Sequence, residues 1–577
     1  MRRCWPFLVV TALLVETSDV SGQDTPPAPT ERFADVPSLS PVTDGMLRDP
    51  DPGDWLSWRR TLDAWGYSPL DEIDRENVAD LALAWSRPLS GGFAQEGTPL
   101  VHEGVLFMPN PRDVIQAIDA ASGDLYWQYR RPLPDDLEEQ FVIFAATNRN
   151  VAIYGNLIIG TSSDDYVFAL DARTGTVVWE TRILDYRAGA LQTSGPIVAD
   201  GRVISGRGCE PAGGPDACVI TAHDALTGTE LWRRRTIPAP GEPGDETWGG
   251  VPFEERHHVG TWMVPSYDPE LNLVYVGTSV TSPAPKYLLA GNDDTYLYHN
   301  STLALDAARG EIVWFYQHVV DHWDMDHPFE RILLDTVLAP DPSEVPWISP
   351  NLEPGERRRV MTGIPGKTGV VYTLDRETGE FLWARPTVTQ NVITDIDGAS
   401  GQVTVNPETR FTAVNQRRLV CPGSGGGKNW PAGAYSPRTG LMYFPLQQAC
   451  QSVTSTLEEP SPDRSLYGIR REREDPPGGR RGTVHAISVE TGRTSWEFEE
   501  EARTFSLVAT AGGLLFGGDD NGRFRALDDR TGEVLWEVNL GSPVLGFPIS
   551  YAANGKQYVA TSVGGMANTL FVFALPD

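Results

Sequence analysis

Short apolar runs separated by polar turns fill most of the chain, and one arrangement of them recurs. An alternating apolar segment meets Asp-x-x-Thr-Gly or a close variant, and a second such segment then ends in tryptophan. Copies end at Trp127, Trp179, Trp232, Trp314, Trp383, Trp496 and Trp536, with "ALDARTGTVVW" and "ALDDRTGEVLW" as typical members. Alternation with period two predicts strands. The glycine supplies positive φ at the turn, and the acidic or polar residue caps it. The tryptophan can pack against the neighbouring unit. Most copies are preceded by a further strand pair, as in "GNLIIGTSSDDYVFAL".

Four strands per unit, repeated every 40–50 residues or so with long insertions, indicate an all-β propeller. The segment "KQYVATSVGGMANTLFVFALPD" starts an eighth unit but lacks its tryptophan, whereas the early "LALAWSRPL" offers a strand with Trp85. Pairing the two predicts an eight-bladed β-propeller of four-stranded blades, its last blade closed by N- and C-terminal strands. Closure removes exposed sheet edges. A solenoid would have no use for the split unit. The longest intervals between motif tryptophans, 232 to 314 and 383 to 496, are the insertions where function is expected.

Composition adds limits. The 577 residues include 57 Gly, 46 Pro and 17 Trp, which suits a turn-rich β protein. A net charge of −31 disfavours nucleic acid, because little is available to neutralise phosphates. It is compatible with a basic protein partner. Arg2 and Arg3 precede an apolar run from Trp5 to Val15 and small residues at Ser21 and Gly22. Residues 1–22 therefore read as a secretory signal, too short to span a bilayer, and no later segment is apolar enough to do so. Residues 23–50 read as a Pro-rich, disordered lead-in, and 51–577 as one domain. Removal of Cys4 with the signal leaves Cys209, Cys218, Cys421 and Cys450. An even count in an exported chain predicts two disulfides. Cys209–Cys218 with Cys421–Cys450 is the expected pairing, though sequence alone leaves the others open. No CxxCH occurs to hold a haem covalently.

From about Leu62 onward the chain resembles the pyrroloquinoline quinone (PQQ)-dependent alcohol dehydrogenases of the methanol dehydrogenase type. The resemblance rests on the repeats together with "YSPLDEIDRENVADLALAW", "GGKNWPAGAYSPRTGLMYFP" and "GKQYVATSVGG". It implies a set of cofactor contacts. Glu96, Arg149, Thr193, Asn429 and Trp430 match contacting positions. Gly208, Cys209 and Glu210 fall in a Gly-rich loop ("GRGCEPAGG") whose glutamate is a metal ligand, and glycine allows close backbone approach. Trp262 matches the floor beneath the quinone, where an indole offers a flat apolar face. Lys367 matches a donor to the quinone oxygens. The family's vicinal disulfide is replaced here by Ile143 and Phe144.

The stretch 317–331, "QHVVDHWDMDHPFER", is unusually rich in acids and histidines. The resemblance makes Asp324 the general base, taking the alcohol proton while hydride passes to the quinone. It makes Asp326 an added metal ligand, as in the lanthanide-dependent members. Calcium-dependent members carry a small residue there. Asp324 and Asp326 alternate onto one side of an extended segment. With Glu210 they form a carboxylate set suited to a trivalent ion, calcium being the alternative. Val280 stands where the family has a ligating asparagine, leaving Ser279, Thr281 or water to substitute. His318, His322 and His327 lack zinc-ligand spacing and read as loop or substrate-pocket residues. The expected protein is thus a periplasmic alcohol dehydrogenase passing electrons to a separate cytochrome c, with a homodimer possible. The rival readings are a non-enzymatic envelope scaffold and a PQQ-dependent sugar dehydrogenase. The enlarged insertion at 238–258 and the lost cysteines predict a substrate bulkier than methanol.

Overall fold

The computed structural model describes residues 29–90, 95–137, 147–209, 213–289, 291, 294–458, 466–475, 478 and 481–577. The expected signal at 1–22, and Ile143, Phe144 and Glu210, lie outside the described residues.

Central strands are buried on both faces, and outer strands alternate. Val105–Asn110 and Leu157–Thr161 are buried throughout, whereas Val177–Arg182 exposes every other residue or more. This is the physical source of the two patterns in the sequence: a sheet sandwiched between sheets reads as continuous apolar strands, and its outer edge reads as amphipathic. Eight sheets of four or five strands are present among the described residues, with chain neighbours mostly adjacent in each. The pairings are antiparallel except for Tyr67–Ser68, which runs parallel to Thr504–Thr510. The strand Ala82–Pro88 pairs with Thr569–Ala574, Trp85 opposite Val572, so the split unit is joined as expected.

The motif residues act between sheets. In the turn, Asp171 Oδ1 accepts from the backbone N–H groups of Arg173 and Thr174, and Asp224, Asp306, Asp375 and Asp528 do the same in their copies. The following glycine lies over the tryptophan of the preceding unit. Gly123 meets Trp85, Gly175 meets Trp127, Gly228 meets Trp179, Gly310 meets Trp232, and so on through Gly532 on Trp496. Several indole N–H groups donate into the next sheet: Trp127 to the Ala172 carbonyl at 3.0 Å, Trp232 to Ala307 at 2.9 Å, and Trp536 to Leu81 at 3.1 Å. Trp85 in turn donates to Ala120 at 3.2 Å, so the succession returns to its start.

These glycines serve two requirements at once. Gly310 has φ +67° and a Cβ there would fall 2.4 Å from the Trp232 ring, whereas Gly440 has φ +68° and nothing within 4 Å. Gly440→Ala is expected to cost only the left-handed backbone penalty, about 1 kcal/mol. Gly310→Ala should cost roughly 2–4 kcal/mol, because the ring must shift as well. Thermal unfolding of the two variants separates the terms, and equal losses would deny the indole its share.

One expectation is corrected. The stretch 23–50 was expected to be disordered, but its described part, from residue 29 on, is folded. Thr30–Arg32 adds a fifth strand beside Leu125–Arg130, and Asp44–Arg48 is a short helix capped by Thr43. Val36, Val42 and Leu47 are buried in the main core. These few apolar residues bury against sheet surface that already exists, so they need no periodicity of their own. Both expected disulfides, Cys209–Cys218 and Cys421–Cys450, are formed. No helix among the described residues is long and apolar enough to cross a membrane.

Candidate active site

The site is assembled from one kind of corner. Glu96, Arg149, Thr193, Trp262, Asp326 and Trp430 lie three to six residues ahead of strands beginning at Leu100, Ala152, Ile197, Ser266, Ile332 and Ala434. Those strands belong to six different sheets, so equivalent entry loops converge. They line a cavity of about 360 Å³ that also takes in Gly208, Cys209, Asp324, Lys367 and Asn429. The described residues expected at the site are therefore together. Four positions not singled out from the sequence join them: Thr147, Leu191, His258 and Leu466. Ser279, weighed as a stand-in beside Val280, lines the cavity as well.

At its centre one lysine serves two acids. Lys367 Nζ lies 2.5 Å from Asp324 Oδ1 and 2.9 Å from Asp326 Oδ2. The Lys367 backbone N–H donates to the Asp326 carbonyl at 2.9 Å, which fixes the two segments to each other. Asp326 Oδ1 accepts from the Val280 N–H at 3.0 Å. Burial pushes the Asp324 carboxyl up, Lys367 opposes this and Asp326 reinforces it; the net direction is upward. Burial acts on Asp326 in the same sense, but Lys367, His258 and the Val280 N–H outweigh it and hold it below the usual range. Burial disfavours the Lys367 charge, yet the two carboxylates more than compensate and its pKa is raised. Lys367 is thus the shared counter-charge of both acids.

Beside this cluster lies the aromatic floor. Arg149 sits 5.1 Å from the Trp262 ring, pairs with Glu96 at 2.6 Å and donates to the Thr193 carbonyl at 2.8 Å. Trp262 is braced edge-on by Phe329 at 5.5 Å, and Trp430 stacks on Phe505 at 5.7 Å. Burial lowers the Arg149 pKa against the pull of Glu96. Its Nε is buried with no partner among the described residues, a donor waiting for an acceptor.

The acidic loop owes its shape to Asp321. This fully buried carboxylate accepts from the N–H groups of Trp323 at 2.9 Å and Met325 at 3.0 Å, and from Asn300 at 2.7 Å. Those bonds turn the backbone so that Asp324 and Asp326 face the cavity while Trp323 and Met325 enter the core. The histidines are interior. His318 stacks on His327 at 4.8 Å and bonds Thr302, and His322 accepts from the Phe411 N–H at 3.0 Å. Burial pushes all three pKa values down, His327 to about 3. Reading them as substrate-pocket residues is corrected on this ground: they are neutral packing groups that do not line the cavity. Val280 is fully buried with an apolar side chain, and Thr281 bonds the His257 carbonyl away from the cavity.

A stacked aromatic floor, a free arginine donor, Lys367 and Asn429 fit a flat, acidic quinone in composition and in the size of the cavity. Stacked antiparallel sheets thus bring paired carboxylates and cations together at their converging loops. A family model described as "PQQ: Glucose/ethanol/alcohol dehydrogenase, beta-propeller domain" matches residues 55–395 and 502–559. The chain is 33% identical over 572 residues to the quinohemoprotein alcohol dehydrogenase ADH-IIG of Pseudomonas putida, covering 94% of this chain and 77% of that protein. It is 30% identical over 566 residues to the lanthanide-dependent methanol dehydrogenase of Methylacidiphilum fumariolicum (strain SolV), covering 92% and 88%. A solved europium-containing methanol dehydrogenase superposes with a TM-score of 0.81 at 25% identity, covering 92% of this chain and all of that one. The chain belongs to the PQQ-dependent alcohol dehydrogenase family and is an oxidoreductase of that type.

Proposed function

We propose that this protein oxidises an alcohol in the cavity around Asp324, as a periplasmic enzyme that delivers its electrons to a separate cytochrome c. The observation that carries the reading is the joint placement of Asp324, Asp326 and Lys367 beside Trp262. When bound, PQQ supplies the two-electron acceptor and a multivalent cation supplies Lewis acidity. The residues do the rest. Asp324 Oδ1 is held by Lys367, so Oδ2 is the oxygen that takes the alcohol proton. Trp262 offers the stacking face, and Arg149, Thr193, Asn429 and Trp430 hold the rim, with Glu96 fixing Arg149 and Gly208 and Cys209 forming the adjacent wall. The tryptophan succession supports eight blades closed into one ring.

Asp324 and Asp326, with Glu210, are the proposed ligands of a lanthanide(III) ion. The second carboxylate beside Asp324 and the likeness to a lanthanide-dependent relative support that choice over calcium. Ser279 is the described cavity residue next to Val280 that offers a replacement oxygen. The scaffold reading fails to account for the site, and family membership sets it aside. The sugar reading is answered by including glucose in the assay. Reconstitution with PQQ plus calcium or lanthanum, followed by dye reduction, is the test. Lanthanum should give the faster enzyme, and Asp326→Ala should erase its advantage. Absence of both quinone absorbance and alcohol oxidation with either ion would reject the reading.

A further inference from the structure

A second cation approaches Asp324 from the other side. Arg471 Nη1 lies 3.5 Å from Asp324 Oδ2, the oxygen Lys367 leaves unclaimed. The arginine comes from Ile469–Glu474, the edge strand of a three-stranded sheet with Arg417–Val420 and Cys450–Ser455. This sheet lies in the long insertion between Trp383 and Trp496. Its position is firm: Val420, Val453, Leu466 and Ile469 share an apolar cluster with Trp323 and Met325 of the acidic loop. Cys421–Cys450 ties two of its strands. Leu466, just ahead of the strand, lines the cavity itself.

Among the described residues the guanidinium is loosely engaged. A charge-assisted bond is normally 2.7–2.9 Å, well short of the 3.5 Å seen here. Glu472 and Glu474 on the same strand are taken by Arg417. The Arg471 side chain is 34% exposed against 16% for Asp324, so it stands on the solvent side of the carboxylate. Lys367 and Arg471 thus stand on either side of Asp324.

We infer that Arg471 is a specificity-determining residue that binds a carboxylate on the alcohol substrate, making hydroxy acids the preferred substrate class. A guanidinium holds a carboxylate by two parallel bonds, and the neighbouring Oδ2 then lies within a few bonds of the carboxylate, at the hydroxyl. The inference rests on Asp324 being the base.

The test compares 3-hydroxypropanoate with 3-methyl-1-butanol, which have the same number of heavy atoms, on the reconstituted holoenzyme. The wild type should favour the acid in kcat/KM. Arg471→Leu should lower the ratio of acid to neutral alcohol by roughly tenfold to a hundredfold, chiefly through KM for the acid, and Arg471→Lys should retain part of it. A wild-type preference for the neutral alcohol, or a ratio unchanged in Arg471→Leu, overturns the inference. Calorimetric binding of 3-hydroxypropanoate to wild type and Arg471→Leu reads recognition without turnover. Binding that depends on Arg471 in an enzyme inactive on every alcohol would sink the base assignment and keep the recognition. Binding indifferent to Arg471 would sink the recognition alone.

Discussion

Asp324→Asn is expected to lower kcat about a thousandfold, the middle of the range for removing a positioned base. The change keeps the side-chain shape but removes the proton acceptor. It should not unfold the protein, because Lys367 still pairs with Asp326 at 2.9 Å and Asp321 still fixes the loop backbone. Turnover and thermal unfolding, measured together on the holoenzyme, separate chemistry from folding. A variant within tenfold of wild-type kcat would remove Asp324 from the mechanism. Should kcat and melting temperature collapse together, the residue would be structural first.

Lys367→Met is expected to be the most damaging single change to stability in the cavity. It strands Asp324 and Asp326, whose side chains are only 16% and 8% exposed, without their shared counter-charge. Breaking a buried pair from one side costs about 3–5 kcal/mol, and here two acids lose one partner. The loss should appear in chemical denaturation of the apoprotein at neutral pH. Added lanthanum should recover more stability in Lys367→Met than in wild type, since a multivalent cation replaces the missing positive charge. A variant as stable as wild type, or one indifferent to lanthanum, would show that the two acids do not depend on charge compensation.

Much of the fold was written locally. Each Asp-x-x-Thr-Gly turn is settled by a carboxylate and a glycine a few residues apart, and the tryptophan that follows announces its packing by position alone. The split last unit was legible for the same reason, because a strand pair without its tryptophan and a lone strand with one complete each other. The cavity was legible through motif resemblance and not through pattern. Trp262 differs from a packing tryptophan only by its surroundings, which lie far off in the chain. What escaped the sequence was long-range. The Arg471–Asp324 contact spans 147 positions, and neither residue carries a local sign of the other. The interior role of His318, His322 and His327 was also hidden, since a histidine's neighbours decide whether it is neutral filler or a working group. The folded segment from residue 29 on was missed because its few apolar residues borrow a surface made by strands at 100–160.

The pairing of Ala82–Pro88 with Thr569–Ala574 has a consequence in time. A polypeptide is made in one direction, and the partner of this early strand follows nearly 490 positions later. Contacts so far apart in sequence slow folding. Until they form, a strand that in the finished sheet buries Trp85 waits unpaired, and this sheet is completed only once residues 569–574 have been made.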